Sequence, residues 1–317
     1  MGAFSVSFLE EPGRDDEWFQ FCGNAFGGGG ELAEYFRASW NADPSRDKNR
    51  VLTARDEQGA LLGSLTILTR EMRLCRRTVL AGGIATVCTR PDQQGKGIAS
   101  RLLREAIACM AERGDEISLL GTAIPDYYRR FGWEPIASRR WEWSPDRSTA
   151  RLPRPSRPPD ARDWESIRRL YEAELQKNRR NGMLLRKTTE DWTVWLVRKG
   201  CRWMVREDEA GIRSYCAAML EDDVLDIREF GCRAGAEQDF SDLIAAFGGD
   251  GAVWSRAVCC AGFPAPAGAA AGRLDGLMFR LMRPVELDGK ILNQTQELVR
   301  YLEECDIPFS FSENDSF

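Results

Sequence analysis

Histidine is absent from all 317 residues. This removes Ser-His-Asp and Cys-His nucleophilic sites and every His-containing zinc site. Any proton transfer falls to carboxylate, tyrosine, cysteine, lysine or water, because the side chain that titrates nearest neutrality is missing. Long hydrophobic runs are also lacking: no stretch approaches the ~20 apolar residues of a membrane span. The start Met1-Gly2-Ala3-Phe4-Ser5 has no basic-then-apolar order of a secretory signal, and Val6 stands where a myristoylation site wants Ser or Thr. A cytoplasmic protein without membrane contact is expected. The ten cysteines form no C-x-x-C pair and, apart from Cys259-Cys260, lie singly in apparent strands and helices. Buried free thiols are expected in place of disulfides, and no metal site is expected.

What is present begins with length: 317 residues suffice for about two domains, each with a sizeable core. Residues Val87-Cys88-Thr89-Arg90-Pro91-Asp92-Gln93-Gln94-Gly95-Lys96-Gly97-Ile98-Ala99-Ser100 read as an apolar strand that breaks at Pro91 and turns through two glycines into a helix, Ile98 to Glu112. Free N–H groups at such a helix start, with the dipole behind them, form an anion cradle, so a phosphorylated ligand is expected. Spacing rejects two known loops. Lys96 lies between the glycines with no Ser or Thr after it, unlike a P-loop, and Ser100 occupies the third glycine position of a dinucleotide fingerprint. What remains, Gln94-x-x-Gly97-x-Ala99, resembles the pyrophosphate loop of the GNAT superfamily of N-acetyltransferases, which hold acetyl-CoA. A strand-to-helix turn without a ligand is the plain alternative.

A second segment strengthens the resemblance. Residues 117 to 136 read as a strand, a short helix opened by Pro125 and a stop at Gly132. Tyr128-Arg129-Arg130-Phe131-Gly132-Trp133 matches the family pattern Y-x-x-x-G-[FYW]. The resemblance implies that Tyr128 returns a proton to the departing thiolate, and that Val87, Cys88 and Thr89, the segment Gln94, Gly95, Lys96, Gly97, Ile98, Ala99 and Ser100, and Ala123 and Ile124 hold acetyl-CoA. Without it, Tyr127 and Tyr128 read as one buried and one exposed helix residue. Cys88, within an apolar strand, reads as inert in place of a nucleophile.

Along the chain, strands are expected at Phe4 to Leu9, Arg50 to Arg55, Leu61 to Leu74 and Thr78 to Thr89, with helices at Asp15 to Ala25 and Glu31 to Asn41 joined by the run Gly27 to Gly30. In the family that connection walls the acceptor pocket; a plain linker is an equal reading. Pro145, Pro153, Pro155, Pro158 and Pro159 mark a segment that holds neither helix nor central strand. The expected division is a catalytic domain at 1–144, a Pro/Arg-rich linker at 145–159, a second domain at 160–284, and a C-terminal helix and tail at 285–317. The second domain reads as helices Asp163 to Lys177, Glu190 to Arg198 and Ala236 to Phe247, with strands Arg202 to Arg206, Arg213 to Leu220, Val224 to Gly231 and Val253 to Cys259. Cys232-Arg233-Ala234-Gly235-Ala236 replaces the cradle there, so this half is a degenerate copy without its own coenzyme. The fold class is α/β, with mixed sheets in tandem GNAT folds.

Ala81-Gly82-Gly83-Ile84-Ala85-Thr86-Val87 before the loop, a degenerate second half containing Gly182-Met183-Leu184-Leu185-Arg186, and a close at Met278-Phe279-Arg280-Leu281-Met282 resemble the enhanced intracellular survival (Eis) family. Its members add a third, sterol-carrier-like domain. Only some thirty residues follow Pro284 here, so that domain is expected to be missing or vestigial. In the family a terminal phenylalanine carboxylate is the general base, which implies that role for Phe317; a disordered tail is the other reading.

The expected reaction is direct transfer from acetyl-CoA to a primary amine of a small cationic molecule, aminoglycoside- or polyamine-like. A net charge of -5 and Glu31, Glu34, Glu313 and Asp315 favour a cation over nucleic acid. Protein lysine acetylation, or a non-catalytic acetyl-CoA sensor, are the alternatives. A homo-oligomer is left open.

Overall fold

Two mixed sheets organise the described residues, in keeping with the α/β class expected from the resemblance. The computed structural model describes residues 3–144, 155–177, 182–185, 201–247, 255–260, 263–265, 268–274 and 276–305. In the first half the elements are β1 (Phe4–Phe8), α1 (Asp16–Ala25), α2 (Gly29–Ala42), β2 (Arg50–Asp56), β3 (Leu61–Leu74), β4 (Arg77–Thr89), α3 (Ile98–Arg113), β5 (Ile117–Gly121), α4 (Pro125–Arg129), β6 (Glu134–Pro135) and β7 (Ser138–Trp143). Then come α5 (Trp164–Lys177), β8 (Gly182–Leu184), β9 (Arg202–Asp208), β10 (Gly211–Glu221), β11 (Val224–Cys232), α6 (Asp239–Ala246), β12 (Arg256–Cys260), β13 (Ala270–Leu274), β14 (Leu277–Leu281), β15 (Val285–Leu287), β16 (Lys290–Leu292) and α7 (Thr295–Glu304). The helix expected at Glu190 to Arg198 falls outside the described residues.

Local chemistry sets the boundaries. The Asp15 carboxylate accepts the Trp18 N–H at 2.8 Å and caps α1, whose Trp18, Phe19 and Cys22 share one buried face. The glycine run is not all linker, since Gly29 and Gly30 already open α2. Helix α3 buries Ile98, Leu102, Leu103, Ala106 and Met110 and stops at Gly114, whose φ is +82°. Strand β3 is buried continuously from Leu61 to Arg70, as a central strand covered on both faces must be.

The first sheet runs β1-β2-β3-β4-β5-β14-β6, with β8 beside β3; the second runs β13-β7-β12-β11-β10-β9. The sequence assigns Met278 to Met282 to the close of the second half and residues up to 144 to the first. The pairing crosses that division three times, first through β8, where Met72 is opposite Leu184. Strand β14 lies between β5 and β6 in the first sheet, with Phe279 opposite Leu119 and Glu134, while β7 lies between β12 and β13 in the second. Met278 and Phe279 are completely buried there, and β6 has only two residues, so β5 finds its long neighbour in β14. Helix α7 and the β15–β16 hairpin then cover one face of the first sheet through Leu298, Leu302, Val285 and Leu292. Helix α3 covers the other, packing with Tyr128 and Trp133.

Candidate functional site

Strands β4 and β5 are parallel yet share only three register pairs, Ala81 with Ile117, Gly82 with Ser118 and Gly83 with Leu119. Beyond Gly83 the two separate, and β4 continues alone on that side to Thr89. Gly82, in that paired stretch, lies close under the end of α3, because a Cβ there would strike Met110 Sδ and Asp115 Oδ2. The wedge that opens leaves backbone N–H and C=O groups of β4 without a β5 partner, which is an unusual state inside a sheet and suits recognition of an amide-bearing chain. A bulge sharpens it: the β3–β4 register shifts between Ser64 and Thr66, and Thr86 takes φ +46°. Its hydroxyl is hydrogen-bonded to that of Thr66. Nothing in the sequence signalled this bulge, since threonine is an ordinary strand residue.

Val87 and Thr89 are half-buried at the wedge. Cys88 turns the other way and packs with Cys22, Trp18 and Val51 beneath α1. Contact with Cys88 and burial push the Cys22 thiol pKa well up, which leaves little thiolate for chemistry. Cys88 thus has its side chain in this cluster and leaves only its main chain toward the wedge.

At the end of β4 the chain bends through Pro91 to Gln93 and enters α3 with Gly95 at φ +76° and Gly97 at φ +80°. Both φ values lie in the left-handed region that penalises any side chain. A Cβ on either would meet nothing within 4 Å, so conformation dictates glycine here, with open space in front of the loop. The first intrahelical bond of α3 runs from Arg101 N–H to Gly97 O. The amides of Ile98, Ala99 and Ser100 precede it, no side chain caps them and no acid lies in the first turn. An uncapped, glycine-entered helix start fits an anionic pyrophosphate. Gln94 and Lys96 are exposed, and Lys96 Nζ donates to Gln93 Oε1 at 2.8 Å.

On the β5 side, Ala123 and Ile124 lie exposed after the strand, Ile124 at 60%. Tyr128 on α4 is 8% exposed, and its ring meets Tyr127 at 5.2 Å and Trp133 at 6.4 Å, both edge-on. Burial, with a smaller contribution from Tyr127, pushes its phenol pKa up to about 12. It stays protonated throughout the neutral range and can donate. Tyr127 Oη lies 3.3 Å from Ser100 Oγ, joining α4 to the first turn of α3. The fold thus brings the cradle, the wedge and the Tyr127–Tyr128 pair together. Phe317 lies outside the described residues.

A family model described as "Acetyltransferase (GNAT) domain" matches residues 12–136, which span cradle, wedge and Tyr128. These residues are a GNAT acetyltransferase domain. Such domains are acetyl-CoA-dependent N-acetyltransferases, with acetyl-CoA as the acetyl donor. No curated protein sequence matches the chain. Among solved structures, a probable N-acyltransferase from Enterococcus faecalis V583 is similar at 17% identity and TM-score 0.68, over 88% of this chain and 73% of that one. A GCN5-related N-acetyltransferase from Kribbella flavida is similar at 20% identity and TM-score 0.66, over 88% and 71%. Eis1 from Mycobacterium abscessus is similar at 17% identity and TM-score 0.55, over 88% and 74%. The fold over 88% of the chain is thus one that these solved structures share.

The second sheet repeats the GNAT domain's parallel pair without its cradle. Strands β11 and β12 pair from Val224–Arg256 to Ile227–Cys259, with α6 between them. The start of α6 carries its own anion, Asp239, which is fully buried and accepts from Arg206, from Arg213 Nε at 2.7 Å and from Ser214 Oγ at 2.8 Å. Asp242 adds a second bond to Arg206 at 2.9 Å. That helix start is thus already occupied by an internal carboxylate held between two arginines, where the start of α3 is uncapped. Among the described residues no helix is long and apolar enough to cross a membrane, and no group of acids and cysteines could hold a metal ion.

Proposed function

We propose that the GNAT domain transfers the acetyl group of acetyl-CoA directly to a primary amine of a small cationic molecule, polyamine- or aminoglycoside-like. The observation that carries this reading is the wedge between β4 and β5, with an uncapped helix start at one end and a protonated tyrosine beside it. Bound acetyl-CoA would supply the thioester. The backbone of Val87, Cys88 and Thr89 would hold the amide-bearing arm as an added strand, and the amides from Gly95 to Ser100 would hold the pyrophosphate, with Gln94 and Lys96 at the rim. Ala123 and Ile124 would border the opposite side. Tyr128, which stays protonated at any physiological pH, would give its proton to the thiolate as the C–S bond breaks, while the amine that forms the new C–N bond releases its surplus proton to water and water reprotonates the tyrosine. Holding thioester and amine in one wedge supplies the proximity that makes covalent enzyme chemistry unnecessary.

Net charge of -5 supports a cationic acceptor. So do Glu31 and Glu34, exposed on α2, of which Glu34 is partly engaged by Arg37 at 3.3 Å. The test is a panel of spermine, kanamycin and a lysine-containing peptide, each with acetyl-CoA, read by mass spectrometry and by thiol release. Acetylated spermine or kanamycin with thiol release is the expected result. Acetylation of the peptide alone would move the acceptor class to protein lysines, and tight acetyl-CoA binding without turnover on any amine would favour a sensor.

A further inference from the structure

We propose that Arg280, delivered by β14 from beyond the second sheet, is a positioning residue that fixes the Tyr128 proton donor through Trp133; this rests on the reading of Tyr128 given above. In β14, Met278 lies opposite Leu120 and Arg280 opposite Ser118. Alternate residues share a face, and that face is the one on which Met278, Leu120, Tyr128 and Trp133 form a single buried cluster. The Arg280 guanidinium carbon stands 5.5 Å from the centre of the Trp133 ring, within the range of a cation–aromatic contact. Trp133 is completely buried and meets the Tyr128 ring at 6.4 Å and 86°. The three side chains thus form one line of contacts from the exchanged strand to the Tyr128 ring.

Two further observations set Arg280 apart from an ordinary surface arginine. Among the described residues it forms no ion pair, and its buried Nε has no hydrogen-bond partner, so the Trp133 face is its main attachment. Burial alone pulls its pKa below the usual arginine value, as expected for a desolvated cation that no acid offsets. The turn after α4 is also shaped around it: Gly132 takes φ +87°, and a Cβ there would collide with Arg280 Nη1. A cation kept half-buried without an acid, against a ring that touches the proton donor, is costly unless the orientation it enforces matters.

The test is a double-mutant cycle on acetyl transfer to spermine, or to the member of the panel above that reacts fastest. Arg280→Met should lower kcat by roughly tenfold, the factor a desolvated cation–aromatic contact is worth, with the KM for acetyl-CoA unchanged. Arg280→Lys, which keeps the cation, should restore most of the rate. In a Tyr128→Phe background Arg280→Met should have no further effect, because the two act as a unit. Losses that multiply, or wild-type kcat in Arg280→Met, would overturn the inference about Arg280; wild-type kcat in Tyr128→Phe would overturn the reading of Tyr128 itself. Without any acceptor, the ¹³Cζ resonance of Tyr128, assigned by its loss in Tyr128→Phe, should move in Arg280→Met and return in Arg280→Lys. An unmoved resonance would refute the link. Should Arg280→Met fail to fold, Arg280→Gln, polar and of similar length, replaces it in both arms with the same outcomes.

Discussion

Tyr127 Oη lies 3.3 Å from Ser100 Oγ, so the residue next to the proposed proton donor is tied to the helix turn that forms the cradle. Of the two adjacent tyrosines, Tyr127 reaches the first turn of α3 from the edge of the buried cluster, and Tyr128 is buried within that cluster beside Trp133. Their substitutions should therefore separate. Tyr127→Phe removes one hydrogen bond, worth about 1 kcal/mol, and should weaken acetyl-CoA binding a few-fold at most with kcat nearly retained. Tyr128→Phe should lower kcat by roughly 10²- to 10⁴-fold with little change in acetyl-CoA affinity. Steady-state kinetics with calorimetry would check both, and the opposite ranking would reassign the donor to Tyr127.

Gly97→Val should abolish acetyl-CoA binding while the protein stays folded. At φ +80° any β-carbon costs about 1–2 kcal/mol, which the loop can relieve by relaxing out of its cradle shape into the open space that a Cβ there would face. Calorimetry on a folded variant with unchanged affinity would detach the loop from the site.

The behaviour at Gly82 should be the reverse. Gly82→Ala forces a methyl onto Met110 and Asp115 at the end of α3. Overpacking of this kind costs about 1–3 kcal/mol, so the melting temperature should fall several degrees. A melting temperature equal to wild type would mean that α3 moves aside freely.

Alkaline pH offers a test of Tyr128 burial. Its pKa is pushed from 10.0 to about 12 in the fold. As pH rises past 10 the unfolded chain loses this proton while the folded one keeps it, so the unfolded state binds fewer protons and stability falls through the window from pH 10 to about 12. Below pH 10 this group contributes no slope. Thermal melts of wild type and Tyr128→Phe should differ by a constant amount up to pH 10 and converge, or cross, above it. Parallel curves to pH 12 would mean that the ring is solvated.

In the second sheet, Asp239→Ala removes the buried carboxylate shared by Arg206 and Arg213, leaving Arg206 to Asp242 alone and Arg213 to Asp208 at 3.8 Å. Breaking a buried pair in this way costs about 3–5 kcal/mol. Denaturant melts should show the loss, and acetyl-CoA affinity of the surviving folded fraction should match wild type. A parallel loss of affinity would place the second sheet in contact with the cofactor.

Most elements were legible because their signals are local. The apolar period of Ile98 to Met110, the stop at Gly114 and the Asp15 cap each lie within a few residues of what they control. The cradle was legible for the same reason, since two glycines must precede the helix they admit. Partnership was not. The stretch Leu277 to Leu281 reads as an apolar strand wherever it lies, and neither alternation nor turn residues say which sheet receives it. Thr86 gave no warning either, because its left-handed φ is imposed by β3 across the ladder. Arg280 was visible only as one of many arginines until β14 set it over Trp133. The roles expected of Phe317, Glu313 and Asp315 belong to residues outside those described.

The exchange of β7 and β14 also orders events during synthesis. Leu119 waits for Phe279, and the whole second sheet separates them along the chain. The ribosome must deliver that sheet before the first can close, so β5 emerges as an unpaired apolar edge and remains one for many seconds at ~5–20 residues per second. Pairings this distant fold slowly, and a nascent chain halted before Leu277 should be the species that chaperones retain.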